Sequence, residues 1–165
     1  MPNATESIRI ERAVESQAPL ILNFIRQLAE YEKLLHMVEA DEARIRESLF
    51  GEKPCAEVVI AYFGEQPAGF AIFFQTYSTF LARPGIYLED LFVEPKFRGH
   101  GIGKALLAHL AKLTSERGGA RLSWSVLNWN EPSIQFYRSL GAQPLDEWTM
   151  YRVSGENLEK LAQLL

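Results

Sequence analysis

The sequence predicts one α/β domain with a mixed sheet, spanning residues 1–165. Three observations carry that expectation. Short apolar runs of strand length alternate along the chain with stretches whose apolar residues recur at helical spacing. Two of the strand-type runs flank the turn signal Gly64-Glu65-Gln66-Pro67, the mark of a hairpin. Another, Ile86 to Val93, passes through the glycine-rich segment Arg98-Gly99-His100-Gly101-Ile102-Gly103 into an amphipathic helix.

Taken in order, Ile8-Arg9-Ile10-Glu11-Arg12 alternates apolar and charged residues and reads as the first strand. A helix follows from about Pro19, because Ile21, Phe24, Leu28, Tyr31 and Leu35 return at helical intervals. Asp41 is placed to open a second, shorter helix carrying Ile45 and Leu49. The hairpin strands are Glu57 to Phe63 and Ala68 to Thr76, and a loop from Tyr77 to Pro84 leads into the strand at Ile86. That strand carries two adjacent acids, Glu89 and Asp90, and breaks at Glu94-Pro95. A helix from Lys104 to about Arg117 turns Leu106, Leu107, Leu110 and Leu113 inward and stops at Gly118-Gly119. Arg121 to Leu127 reads as the next strand. A short helix follows, with Pro132 suited to a first helical position, Phe136 and Leu140 on one face, and Gly141 ending it. Two more strands are expected near Pro144 to Trp148 and Met150 to Val153, then a terminal helix over Glu156 to Leu165. No repeat, linker or low-complexity segment interrupts the series.

Composition narrows the function. Hydrophobic residues make up 47% of the chain and charged residues 23%, ordinary for a globular protein with a core. The net charge is −4 and no run of Lys or Arg occurs, which disfavours a nucleic-acid surface and permits cationic small molecules. The start, MPNATESIRIER, lacks the basic and apolar stretches of a secretory signal, and no apolar run approaches a membrane span. Cys55 stands alone, so no internal disulfide can form and a cytoplasmic protein is expected. A lone thiol reads as a packing or surface residue before it reads as a nucleophile. His36, His100 and His109 lack metal-ligand spacing, so no metal is expected, and no G-x-S-x-G is present.

The chemistry concentrates in Gly85 to Leu107, GIYLEDLFVEPKFRGHGIGKALL. Glycines at 99, 101 and 103 let the backbone turn tightly and aim several N–H groups at one point. The helix start adds its unpaired first-turn N–H groups and the positive end of its dipole. Strand, glycine loop and helix start together make a site for a phosphorylated ligand. A dinucleotide fingerprint fails, because Lys104 stands three residues after Gly101. A Walker A loop fails too: Ala105 follows Gly103-Lys104, and Arg98 holds the first glycine position. What remains is R-x-x-G-x-G between a strand and a helix, or else a glycine-rich turn ahead of an ordinary helix.

The R-x-x-G-x-G pattern resembles the acetyl-CoA pyrophosphate loop of the GNAT N-acetyltransferase superfamily. The segment Trp129 to Ala142, WNEPSIQFYRSLGA, resembles the second hallmark of the same superfamily. More narrowly, W-N-E-P-S-I-x-F-Y and the strand I-Y-L-E-D-L-F-V resemble the diamine and polyamine (spermidine/spermine) acetyltransferases and the thialysine N-acetyltransferases. The resemblance implies a GNAT-like mixed, mostly antiparallel sheet flanked by helices. Two strands, the one ending at Val93 and Arg121 to Leu127, would splay apart at the acetyl-CoA site. It further implies acetyl transfer to a primary amine by direct attack on the thioester, and a homodimer with strands or carboxy-terminal segments exchanged.

An alkyl amine resembles a Lys side chain, with a pKa near ~10.4, so at neutral pH it is almost entirely charged. Catalysis therefore needs a group to take its proton and an acid for the departing thiolate. By resemblance Glu89 is the base, directly or through a water, or binds the amine; otherwise it is a solvated strand acid. Strict alternation would send Glu89 and Asp90 to opposite faces, so that only one easily serves. Tyr137 is the acid by resemblance, and otherwise a ring packed in the core.

The resemblance also assigns the cofactor groove. Backbone groups of Leu91, Phe92 and Val93 would take the pantetheine arm, while Gly99, His100, Gly101, Ile102, Gly103 and Lys104 cradle the pyrophosphate through their N–H groups. Arg98 either adds charge there or anchors the loop to a neighbour. Asn130 matches a side-chain contact to the CoA arm, and Ser123, Trp124, Ser125, Glu131, Pro132 and Ser133 would line the same groove. Tyr31 and Glu32 match amine-contacting positions; otherwise Tyr31 continues the core stripe and Glu32 is a solvated helix residue. The loop Tyr77-Ser78-Thr79-Phe80 is nearer the thialysine-type relatives, with Phe80 where a tryptophan is more usual. Three functions stay in view: a small-amine acetyltransferase, a relative acting on a protein amine or an antibiotic, and an acyl-CoA sensor without turnover.

Overall fold

The computed structural model describes residues 7–165, so the first six residues of the stretch read for a signal lie outside it. The chain divides between Ser125 and Val126 into two compact units.

The first unit is built on a five-stranded sheet in the order β1-β2-β3-β4-β5. Strands β1 (Ile8–Arg12), β2 (Glu57–Phe63), β3 (Gln66–Ser78) and β4 (Arg83–Val93) pair antiparallel, and β5 (Leu122–Trp124) lies parallel to β4. The sheet is thus mixed and mostly antiparallel. The β2–β3 turn is tighter than expected: Gln66 already pairs with Phe63 and Pro67 with Tyr62, leaving Gly64-Glu65 as the turn. Pro67 is tolerated because the register shifts beside it, between Ala61 and Tyr62. The expected loop from Tyr77 to Pro84 is likewise mostly ladder, since Tyr77 pairs with Pro84 and Ser78 with Arg83. Ala82, at φ +50°, and the Leu81 amide bonded to Ser78 Oγ close the short turn instead.

Helix α1 (Ala18–Tyr31) has its proline in the first turn. It stops one turn sooner than the apolar spacing suggests. Lys33 takes a left-handed φ of +61°, its N–H donates to Glu30 O, and the Leu34 N–H donates to Ala29 O at 2.7 Å. That cap throws Leu35 out of the helix and onto the surface. Asp41 does cap α2 (Glu42–Phe50), accepting from the Arg44 N–H at 2.8 Å.

Ile21, Phe24 and Ile45 from these helices pack with Val58, Ile60, Phe70, Ile72 and Phe92 from the sheet. Phe24 stacks on Phe70 at 5.3 Å, and burying rings of this kind stabilises by about 1.5–3 kcal/mol each. Helix α3 (Ile102–Glu116) buries Ile102, Leu106, Leu107 and Leu110 and leaves Leu113 half-buried. It packs on β3 and β4 across the other face. Glu57, next along β2 from the α1-facing Val58, accepts from Arg117 at the end of α3 through two bonds of 2.7 and 2.9 Å.

Strand β5 is only Leu122–Trp124, shorter than the expected Arg121 to Leu127, because its partners on β4 run out at Leu88. In the second unit, α4 (Glu131–Ser139) begins one residue before Pro132, and Gly141 follows it at φ +85°. Helix α5 (Glu156–Ala162) ends short of the carboxy terminus. The strands expected near Pro144 to Trp148 and Met150 to Val153 do not form. Among the described residues no strand follows β5. The alternation is present, but a strand needs a neighbour to complete its ladder, and this unit supplies none.

Candidate active site

Strand β4 is bent where the acids lie. Leu88 pairs with Phe73 and Asp90 with Ile72, so two residues adjacent on β3 span three on β4 and Glu89 is the extra one. Such a bulge breaks the alternation and re-aims the side chains beyond it. The expectation that Glu89 and Asp90 divide cleanly between opposite faces is therefore corrected. Directly paired residues share a face. Asp90 shares that of Ile72, which with Phe92 belongs to the α1 side. Glu89 is exposed.

The electrostatics agree with this placement. Burial pushes the Asp90 carboxyl up from 3.8 to about 6, and the nearby charges of Glu89 and Glu32 push the same way. Burial also raises Glu32, one residue past the end of α1. Asp90 thus feels two further carboxylates, Glu89 beside it on β4 and Glu32 just past α1. The sequence reading chose Glu89 and Glu32 and passed over Asp90. Its signal was the adjacency of the two acids, masked by the assumption of a straight strand.

Beyond the bulge, β4 has no β5 partner: the parallel ladder consists of Ile86 with Leu122, Tyr87 with Ser123 and Leu88 with Trp124. Leu91, Phe92 and Val93 pair only toward β3, with Ala71, Phe70 and Gly69. Among the described residues no strand pairs with their other edge. Ser123 and Trp124 are half-buried in β5, and Ser125 Oγ shares a 2.7 Å hydrogen bond with the Tyr87 hydroxyl.

After a 3-10 turn at Pro95–Phe97, the chain enters the glycine loop. Gly99 and Gly101 both adopt φ +83°, a conformation that disfavours any side chain. A Cβ on either would meet no atom within 4 Å, so their positive φ and not crowding is what favours glycine there. Gly101 caps α3, which starts at Ile102 rather than Lys104. The first-turn N–H groups of Ile102, Gly103 and Lys104 therefore have no intrahelical acceptor.

Side chains brace this loop. Arg98 Nε donates to Val93 O at 3.0 Å, and its guanidinium lies over the Tyr31 ring at 5.2 Å and the Phe92 ring at 5.7 Å. His100 Nδ1 lies 3.2 and 3.1 Å from the carbonyls of Phe97 and Arg98, so that nitrogen carries the proton. Its ring packs on Phe63 at 4.7 Å. A glycine loop opening a helix, beside a strand edge with no strand partner, suits an anionic ligand.

In the second unit, Asn130 is only 5% exposed and caps α4, its Oδ1 accepting from Ser133 N–H at 3.4 Å. Glu131 and Pro132 are exposed, and Ser133 is half-buried. Tyr137 is half-buried with its ring 5.4 Å from that of Phe136. Among the described residues no group of three or more His, Cys, Asp or Glu is arranged to hold a metal, and no helix is long and apolar enough to cross a membrane.

Comparison with known proteins agrees with the geometry. Residues 22–142 match the model of the acetyltransferase (GNAT) family. The thialysine N-epsilon-acetyltransferase of Mus musculus is 36% identical, over 94% of this chain and 98% of its own. The human spermidine/spermine N(1)-acetyltransferase-like protein 1 is 30% identical over 93% of this chain and 24% of its own. An integron cassette protein from the mobile metagenome of V. cholerae has a solved structure that matches at a TM-score of 0.80 and 28% identity, covering 95% of this chain and 98% of that one. The chain belongs to the GNAT family and is an N-acetyltransferase.

Proposed function

We propose that the chain transfers an acetyl group from acetyl-CoA to a primary amine of a small diamine, a polyamine or a lysine-like amino acid, with residues 1–165 acting as one N-acetyltransferase domain. The observation that carries this reading is Asp90 raised by burial and by the charges of Glu89 and Glu32, beside a strand edge with no strand partner and a glycine loop at a helix start. The family match across residues 22–142 draws on both compact units, which supports reading them as one functional domain.

Acetyl-CoA supplies the activated acyl group, as a thioester that an amine attacks directly. The residues of the chain do the rest. The carboxylates draw in the ammonium and desolvate it. Glu89 accepts its proton, directly or through a water, and frees the nitrogen lone pair. Asp90, poised near 6, shifts toward its charged form as the ammonium arrives. Leu91, Phe92 and Val93 offer backbone groups to the pantetheine arm. Gly99 to Lys104 hold the pyrophosphate. Tyr137 donates its hydroxyl proton to the sulfur as the C–S bond breaks, and its phenolate takes up, through solvent, the second proton that leaves the nitrogen as the amide forms. We place the enzyme in the cytoplasm, a setting that suits its exposed, unpaired Cys55.

The test is CoA thiol release from acetyl-CoA across putrescine, spermidine, thialysine, lysine and a peptide amine, with Tyr137→Phe alongside. Turnover is expected with one small-amine class. Loss of the acid should lower the rate by about 10²–10⁴-fold. Turnover with the peptide amine alone, or with none, overturns the small-amine reading. An unchanged rate in Tyr137→Phe removes the tyrosine from the chemistry.

A further inference from the structure

We propose that Arg98 is a positioning residue that ties the acetyl-CoA loop to the amine-side end of α1, so that each substrate tightens the binding of the other. This rests on the acetyl-CoA and amine reading above.

Three segments meet at the Arg98 side chain. It belongs to the glycine loop. Its Nε donates to Val93 O, at the end of the strand edge proposed for the pantetheine arm. Its guanidinium lies over Tyr31, the last residue of α1, and over Phe92, which packs in the core. Both ring distances are within the roughly 6 Å over which a cation is held by an aromatic face. The loop's only arginine is therefore committed to protein partners around its base.

Tyr31 immediately precedes Glu32, whose charge acts on Asp90. This end of α1 is also a strained one, with Lys33 in a left-handed conformation two residues later. An ammonium bound by Glu32 and Asp90 would hold the helix end, and with it the ring under Arg98. Arg98 in turn holds the loop whose backbone N–H groups meet the pyrophosphate. A ligand that orders an element shared with a second site lowers the cost of ordering it again. The coupling is reciprocal, as any linkage in binding must be.

Lysine keeps the charge at position 98 but has neither the Nε–H nor the flat guanidinium face. Arg98→Lys thus separates bracing from simple charge. The experiment is calorimetric titration of the full chain with CoA, a product that cannot react, with and without a saturating amine from the panel above. It uses the unsubstituted chain, Arg98→Lys, Arg98→Gln, Tyr31→Leu and the Arg98→Lys/Tyr31→Leu pair, each checked by circular dichroism. The amine should tighten CoA binding by roughly fivefold or more in the unsubstituted chain. Arg98→Lys and Tyr31→Leu should each lower that enhancement below about twofold, and the pair should be no worse than the worse single variant. The slope of CoA affinity against ionic strength should flatten only slightly in Arg98→Gln, because a nearby charge is removed but no phosphate contact is lost.

An enhancement that survives Arg98→Lys overturns the proposal. So does a loss of CoA affinity of about tenfold or more in Arg98→Gln without amine, together with a strongly flattened slope, which would make Arg98 a direct phosphate ligand. CoA binding that no amine of the panel alters overturns it as well, while leaving acetyl-CoA as the donor. If the unsubstituted chain binds no CoA, the acetyl-CoA reading itself fails, and the coupling with it.

Discussion

Asp90 holds opposing demands of stability and chemistry in one side chain. Its carboxyl is raised from 3.8 to about 6, first by burial and then by Glu89 and Glu32. The folded chain therefore holds this proton more tightly than the unfolded chain does. The resulting contribution to stability is full below about pH 4 and is lost as pH rises through about 6. Asp90→Asn removes the ionisation, so it should raise stability at pH 7.5 by about 1–2 kcal/mol, after discounting for partial exposure, and by little at pH 4. Thermal melts at the two pH values check this, and equal shifts at both would contradict it. Acetyl transfer should fall in the same variant, because the carboxylate that draws in the ammonium is gone. Glu57 runs the opposite way. Its hydrogen bonds from Arg117 hold the carboxyl below its ordinary value, a stabilisation present at neutral pH and lost on acidification. At this scale the acids could be read from residue identity alone. Which acid is half-buried and which exposed could not, because that follows a bulge that the letters L-E-D-L do not announce.

The end of β4 is shaped by its neighbour as much as by its own residues. A Cβ at Gly69 on β3 would fall 2.4 Å from Phe92 O and 3.1 Å from Val93 Cα, both backbone atoms that cannot swing aside. Gly69 therefore permits β3 and β4 to close together at the edge proposed for the pantetheine arm. Gly69→Ala should force the strands apart, costing about 1–3 kcal/mol and weakening CoA binding together. A melt and a CoA titration on the same protein test the pairing of effects, and loss of stability with CoA affinity intact would contradict it. Among the elements, α2 with its Asp41 cap and the run of α3 were legible from capping and periodicity. The end of α1 was not, because the spacing that includes Leu35 continues past the left-handed turn at Lys33. The length of β5 was not legible either, since a parallel strand lasts only as long as its partner offers a ladder.

For the molecule as a whole, the second unit presents apolar side chains at its surface. Trp148 is 77% and Tyr151 91% exposed, with Leu145, Met150 and Val153 beside them in sequence. We propose that a homodimer covers these side chains, in keeping with the alternating segments that find no strand partner among the described residues. Analytical ultracentrifugation at micromolar concentration should give the mass of two chains. Tyr151→Asp with Met150→Asp should shift it toward one chain, with at least about tenfold weaker association expected for charges in an apolar contact. A single-chain mass for the unsubstituted protein would rule the dimer out.

The glycine loop, the helix it opens and the acetyl-transfer family were determined by the sequence itself. Positive-φ glycines, caps and hydrophobic periods are local properties, written within a few residues of where they act. Tertiary structure decided the bulge at Glu89, the partial burial of Asp90, the parting of β4 from β5 and the seat of Arg98 on Tyr31. Each depends on what a distant segment places alongside, and charge, burial and strand register are set by those neighbours.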